Sequence, residues 1–205
     1  MRHAILALFV MTAPALAQDE AIYAPCLAQF AAPEEFGNVD PYISAMEAAG
    51  WAHVPQAALT VDVTAALAEY EAGSTSLPSQ FGSARDAQAF AARAAEWYAQ
   101  DVQFVQVFTR DGVSASLSAV EYEPGQMGVL CSFAGMEVPG ADAMFDADSV
   151  IDDLAVSIGA ADVALPEKAT RLTVTAIRFT GDAAVLAPLS VREGIGVSYR
   201  YEAPQ

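Results

Sequence analysis

Basic residues are scarce in this chain. Nine Lys and Arg stand against 26 Asp and Glu, giving a formal charge of −17. Nucleic acids and anionic membranes are held by clustered Lys and Arg, so this balance excludes both as expected partners. Lys168 is the one lysine, and its neighbour Glu167 argues against Schiff-base chemistry. Histidine is nearly missing as well, with His3 and His53 alone. The two cysteines, Cys26 and Cys131, are too few for a disulfide-framework miniprotein and lack the C-x-x-C spacing of a redox pair. So small a stock of His and Cys cannot assemble a usual zinc site. No G-x-S-x-G elbow, no S-x-x-K arrangement with its partner motifs and no phosphate-cradling G-x-x-x-x-G-K-[ST] occurs. Gly194-Ile195-Gly196 does not follow a strand-to-helix turn and is no phosphate loop. No cofactor and no metal is expected from these absences. No apolar run approaches the roughly 20 residues that a membrane-spanning helix takes.

Hydrophobic residues make up 54% of the chain and charged ones 17%, a composition that builds a core and excludes intrinsic disorder. The length of 205 residues suits one domain. The first residues carry an address. Met1-Arg2-His3 is followed by an apolar stretch to Met11 and then Ala15-Leu16-Ala17. A basic start, a short apolar run and an A-x-A end are the pattern of a secretory signal peptide. Residues 1–17 are therefore read as the signal and 18–205 as a single exported domain. The expected location is the bacterial periplasm, with full secretion as the alternative. In an oxidising compartment two cysteines suffice for one bridge, so Cys26 and Cys131 are expected to pair.

Periodicity along 18–205 predicts an α+β fold. Ile22, Cys26 and Phe30 share a helical face over 18–32, and Pro25 places the start of that helix near Ala24. Asp40, Pro41 and Gly50 bracket a second helix as cap, first position and terminator. Trp51 to Pro55 reads as an extended link, 56–73 as an ambiguous stretch that favours helix after Thr64, and 73–79 as a loop. A further helix follows Ser83 to about Gln100, with Phe90, Ala94 and Trp97 on one side. The period then changes from 3.6 to 2. Residues 102–109 form an apolar strand, and Asp111-Gly112 is a hairpin turn. Val113, Ala115, Leu117 and Ala119 alternate with Ser114, Ser116 and Ser118, and Met127, Val129, Cys131 and Phe133 share one face. Residues 141–158 read as a long helix ended by Gly159. Strands are expected at 171–180, 183–189 and 195–201. The fold expected is thus a mainly antiparallel sheet, in two three-stranded meanders, covered by helices on one side.

Candidate chemistry is thin. His53 lies beside Trp51 and offers a general base; as a lone imidazole in a connection between helices it reads more simply as a packed residue. The acidic stretch Asp142, Asp146, Asp148, Asp152 and Asp153 begins like a calcium loop at Asp146. It then has Val150 at the next ligand position and Ile151 where glycine is required, so a solvated face accounts for it equally well. Arg110, Arg178 and Arg200 lie in or beside strands and could hold an anion, or pair singly with nearby acids. With no catalytic residue assigned, the function expected is a non-catalytic binding or accessory module for a protein or small-molecule ligand. The alternative is a small hydrolase using carboxylates or His53. A sheet face carrying the small residues Ser114, Ser116 and Ser118 can accept another protein or an apolar ligand, and no ligand-binding residue is assigned.

Overall fold

Asp111 and Gly112 both adopt positive φ, at 51° and 80°. That pair of left-handed residues makes the tight turn whose twist matches two antiparallel strands. It joins β2 (Gln106–Arg110) to β3 (Val113–Glu123), with Arg110 paired to Val113. β3 then pairs with β4 (Gln126–Gly135), which completes the expected hairpin series. A computed structural model describes residues 21–27, 39–75, 105–123, 126–145, 156–165, 169–180 and 189–202, together with 89, 92, 186 and 187. The expected signal segment 1–17 and the turns at 124–125 and 181–182 lie outside them. So does most of the helix expected after Ser83, of which Ala89 and Ala92 are described and helical.

The remaining strands are β1 (Ala52–Val54), β5 (Val156–Ala161), β6 (Ala169–Phe179) and β7 (Glu193–Glu202). All seven form one antiparallel sheet in the order β1-β2-β3-β4-β7-β6-β5. This corrects the expectation of two separate meanders. β7 enters between β4 and β6 and fuses the halves. β1, read from sequence as a link, adds an edge by pairing Ala52–Val54 with β2.

Alternation sorts the side chains. One face carries Val113, Ala115 and Leu117 of β3, Met127, Val129, Cys131 and Phe133 of β4, and Ile195, Val197, Tyr199 and Tyr201 of β7. Cys26 of α1 (Ala24–Leu27) is bridged to Cys131 there, with Cα atoms 6.6 Å apart. The buried Tyr199 hydroxyl donates to the Cys26 carbonyl at 3.1 Å. Tyr42 and Met46 of α2 (Asp40–Ala48) enter the same cluster. Gly50, at φ 86°, ends α2 by letting Gly50 N–H reach the Glu47 carbonyl and Trp51 N–H the Met46 carbonyl. Asp40 is the first helical residue rather than the cap before it.

The opposite face meets α3 (Val61–Thr75). Leu67 and Tyr70 pack with Val107, Ala134, Ile177, Phe179 and Val191. Ser114 Oγ donates to the Val63 carbonyl at 3.0 Å. The described helices thus touch both faces, not one. α3 also extends three residues, Gly73 to Thr75, into the stretch expected to be a loop.

Two further expectations are corrected. Of the helix expected over 141–158, residues 146–155 lie outside the described residues; the described ends are a single turn at Asp142–Met144 with an extended Phe145, and strand β5 from Val156. Its apolar stripe was too short to separate helix from strand, and Val156 and Ile158 are β-branched residues that suit an edge strand beside β6. Gly159 is no helix terminator: a Cβ there would run into the Met144 backbone, so glycine allows the two segments to touch. The strand expected at 183–189 is also absent from the described part, where Leu186 is helical and Leu189 irregular. Both turn buried side chains into the α3-side core, and the place beside β6 is already taken by β5.

Candidate functional site

Register builds a second feature on the α3 side of the sheet. Ser116 of β3 pairs with Ser132 of β4, Ser132 with Gly196 of β7, and Gly196 with Thr175 of β6. The next row runs Ser118, Leu130, Ser198, Thr173. Two adjacent rows across four strands therefore carry six short hydroxyl side chains, one leucine and one glycine. They floor a cleft of about 590 Å³ whose rim includes Tyr70 and Glu71 of α3 and Ile158 of β5. Short side chains are what leave the space, since branched residues at these positions would fill it.

Tyr70 is positioned by the floor itself. Its ring lies where a Cβ on Gly194 would stand, and a Cβ on Gly196 would come within 2.7 Å of its hydroxyl. The Gly194-x-Gly196 spacing on one strand face is a seat for this ring. Tyr70 is 4% exposed, and burial raises its phenol above the ordinary range. Gly194→Ala is expected to force the ring from its seat and cost about 1–3 kcal/mol, as overpacking of a filled core does. Urea unfolding checks this; an unchanged midpoint would show that the ring is not fixed there.

Glu71 follows Tyr70 and reaches the floor. Ser116 Oγ donates to Glu71 Oε1 at 3.3 Å, and Ser132 bonds the same carboxyl group. Burial pushes the Glu71 carboxyl up, while these two hydroxyls pull the other way. Among the described lining residues Glu71 is the one charged side chain. Glu69, two residues earlier, points elsewhere. It is 2% exposed and accepts the backbone N–H groups of Ser190 at 2.6 Å and Val191 at 3.1 Å.

The residues singled out from sequence are dispersed. Cys26 and Cys131 meet in the bridge. His53 sits on the edge strand β1, paired with Phe108, whose side chain belongs to the disulfide-side core. His53 Nε2 donates to Gln106 Oε1 at 3.0 Å and its ring lies 5.1 Å from that of Phe108. It is thus on the other face from Glu71. Of the acidic stretch, Asp142 pairs with Arg178, and 146–153 lie outside the described residues. Arg178 also binds Glu193 at 2.6 Å and stacks over Phe145. Arg110 donates to the Ala49 carbonyl at 2.8 Å and lies over the Trp51 ring. Arg178 and Arg200 sit at opposite ends of the β6–β7 ladder, so the three arginines share no cleft. No group of three or more His, Cys, Asp or Glu is placed to hold a metal ion among the described residues. Likewise, no described helix is long and apolar enough to cross a membrane.

The serine alternation on β3 is legible in the sequence, whereas nothing local singles out Glu71 and Tyr70. The available signal was a repeated small-polar alternation: Ser132 on β4, Thr173 and Thr175 on β6, Ser198 on β7. What sequence lacked was the strand order that brings them together. No family model, curated protein or solved structure matches the chain.

Proposed function

We propose that this protein is an exported, periplasmic binding module without catalytic machinery of its own, and that the hydroxyl-floored cleft receives its ligand. The observation that carries this reading is the matched pair of rows under Glu71. They form a concavity of about 590 Å³, within the roughly 300–1,000 Å³ typical of small-molecule sites. A concave site of that size favours a small molecule over a protein surface. Export is supported by the Met1 to Ala17 pattern and by the Cys26–Cys131 bridge, which an oxidising compartment permits. The hydrolase alternative would gain from convergence of His53 with acids in one cleft. His53 instead bonds an amide on the opposite face, which favours the module.

One preparation tests the reading. The full chain is expressed in a Gram-negative host and recovered from the periplasmic fraction. Its intact mass is expected to begin at Gln18 with no free thiol. The same sample is expected to show no turnover of ester, amide or glycoside substrates. Turnover that disappears in folded His53→Ala or Glu71→Gln protein would overturn the module, and a mass that retains residues 1–17 would overturn the processing step.

A further inference from the structure

We infer that the cleft takes an uncharged sugar or polyol, with one of its hydroxyl groups seated against the Tyr70 hydroxyl above Gly196. The inference rests on the cleft being the binding site, as proposed above, and adds the class of ligand.

Tyr70 is the first argument. The residue is 4% exposed, yet its hydroxyl has no hydrogen-bond partner among the described residues. A buried phenol usually finds one. The oxygen is not sealed in the core, because Trp51 Nε1 is the only fully enclosed side-chain polar atom without a partner among the described residues. Tyr70 lines the cleft, and its hydroxyl stands over Gly196 on the floor. The Cβ that Gly196 lacks would lie 2.7 Å from that hydroxyl and 3.6 Å from Thr175 Oγ1, so two hydroxyls flank one small opening. Each offers a donor and an acceptor to a group entering there.

Charge is the second. No Lys or Arg stands among the described lining residues, so no charged donor there meets an anion. The carboxylate of that lining, Glu71, is already engaged by the hydroxyls of Ser116 and Ser132. It belongs to the wall of the cleft and is not a point left over for a cation. An uncharged ligand needs neither kind of partner.

The third argument is how the remaining hydroxyls are spread. Ser118, Ser198, Thr173 and Thr175 line the cleft and make no side-chain hydrogen bond to a described residue. The row from Ser118 on β3 to Thr173 on β6 crosses four strands, about 14 Å at the usual strand spacing. A ligand with a single polar head would serve one end of that row. A ligand with hydroxyls at several positions matches it along its length, because each hydroxyl both donates and accepts. Leu130 interrupts the row, and Val105 and Ile158 line the same space. The C–H surface of a sugar ring therefore finds apolar contact between its hydroxyl contacts.

The test uses the processed, disulfide-bonded protein and a set of ring compounds at neutral pH. Methyl glucoside, methyl galactoside and methyl mannoside are the uncharged probes. Two charged probes replace the C6 hydroxymethyl of the glucoside by a carboxylate or an aminomethyl group. Cyclohexanol supplies a similar ring with one hydroxyl. Binding is read from the amide shifts of Thr173, Thr175, Gly196 and Ser198. At least one uncharged glycoside is expected to shift those amides and to bind more tightly than the charged probes and cyclohexanol. Tyr70→Phe keeps the ring in its seat and removes one oxygen. It is expected to weaken that glycoside roughly three- to tenfold, the worth of one neutral hydrogen bond. Its urea midpoint is expected to stay where it is, since the oxygen has no protein partner to lose. Thr175→Val is expected to weaken the glycoside to a similar degree. Undiminished affinity in both variants, or a marked fall of the Tyr70→Phe midpoint, would overturn the seat at Tyr70. Should a charged probe or cyclohexanol shift the cleft amides at least as strongly as every uncharged glycoside, the sugar inference is overturned and the cleft stands. If none of the probes shifts those amides, the cleft itself is rejected.

Discussion

Replacing Cys26 and Cys131 together by alanine lowers the unfolding free energy by about 3–5 kcal/mol. The bridge spans 105 residues, and a loop of that size removes roughly 4–5 kcal/mol of chain entropy from the unfolded ensemble on the loop-closure estimate. The residues it encloses include α2, β1, α3, β2 and β3, so the constraint acts on about half the chain. On the folded side the bridge ties α1, a single turn of helix, to the middle of the sheet. Such a short helix has no independent stability, because nucleation costs more than one turn returns. Its order comes from the bridge, from the Tyr199 hydroxyl on the Cys26 carbonyl, and from the burial of Ile22 and Tyr23. Alanine is chosen over serine because both sites are buried, at 0% and 1% exposure, and a hydroxyl there would add a polar-burial cost.

Urea unfolding with and without a reductant measures the same quantity in the wild-type chain. Reduction is expected to cost somewhat less than the double substitution, because two thiols still fill the space that alanines vacate. The denaturant slope is expected to rise in both cases, since an unlinked unfolded chain exposes more surface. Midpoints that do not move on reduction would show that the bridge constrains nothing the fold does not already hold.

Much of the sheet's first half was legible because local chemistry and long-range order agree there. Asp111-Gly112 dictates its turn, and the alternation of Val113, Ala115 and Leu117 with serines dictates two faces. Gly50 behaves the same way, since a terminator at positive φ needs glycine wherever the helix sits. The second half was less legible because its elements are defined by their neighbours. Ile158 suits a helical stripe and an edge strand equally, and only pairing with Ile177 on β6 decides. Alternation also says which residues share a face but not which strands are adjacent. The insertion of β7 between β4 and β6 therefore left no trace in the sequence.

The cleft shows that gap most clearly. Ser116 and Ser118 were recognisable as a small polar face, but a floor exists only because Ser132, Gly196 and Thr175 arrive in line with Ser116. Glu71 is one acid among many in a strongly acidic chain, and nothing local separates it from Glu69. Two positions along α3 turn one carboxylate over the serines and the other into the core. Gly194 and Gly196 form no phosphate loop, and their use becomes visible only with Tyr70 above them.

The carboxylate turned inward sets a pH dependence. Glu69 links α3 to Ser190 and Val191, just before β7 begins, and burial pushes its carboxyl group up to about 7 from an ordinary 4.5. The two backbone N–H groups and the nearby Arg192 guanidinium work in the opposite direction without offsetting that burial. Between those two pH values the folded chain holds the Glu69 proton and the unfolded chain has released it. The contribution of this group to stability is therefore complete below about 4.5 and is lost as pH rises through about 7. A shift of that size corresponds to about 3 kcal/mol across the window. Glu71 is shifted in the same direction and adds to the slope, as does relief of self-repulsion when a chain of charge −17 takes up protons. Glu69→Gln separates these terms. It keeps an oxygen for the two N–H groups and removes the titration, so its urea midpoint is expected to fall less between pH 5 and pH 8 than that of the wild type. At pH 8 it should equal or exceed the wild type. Glu69→Ala leaves both buried N–H groups unpaired and is expected to cost about 2 kcal/mol or more at every pH. Parallel wild-type and Glu69→Gln midpoints from pH 5 to pH 8 would place the pH dependence elsewhere in the molecule and reduce Glu69 to a hydrogen-bond acceptor.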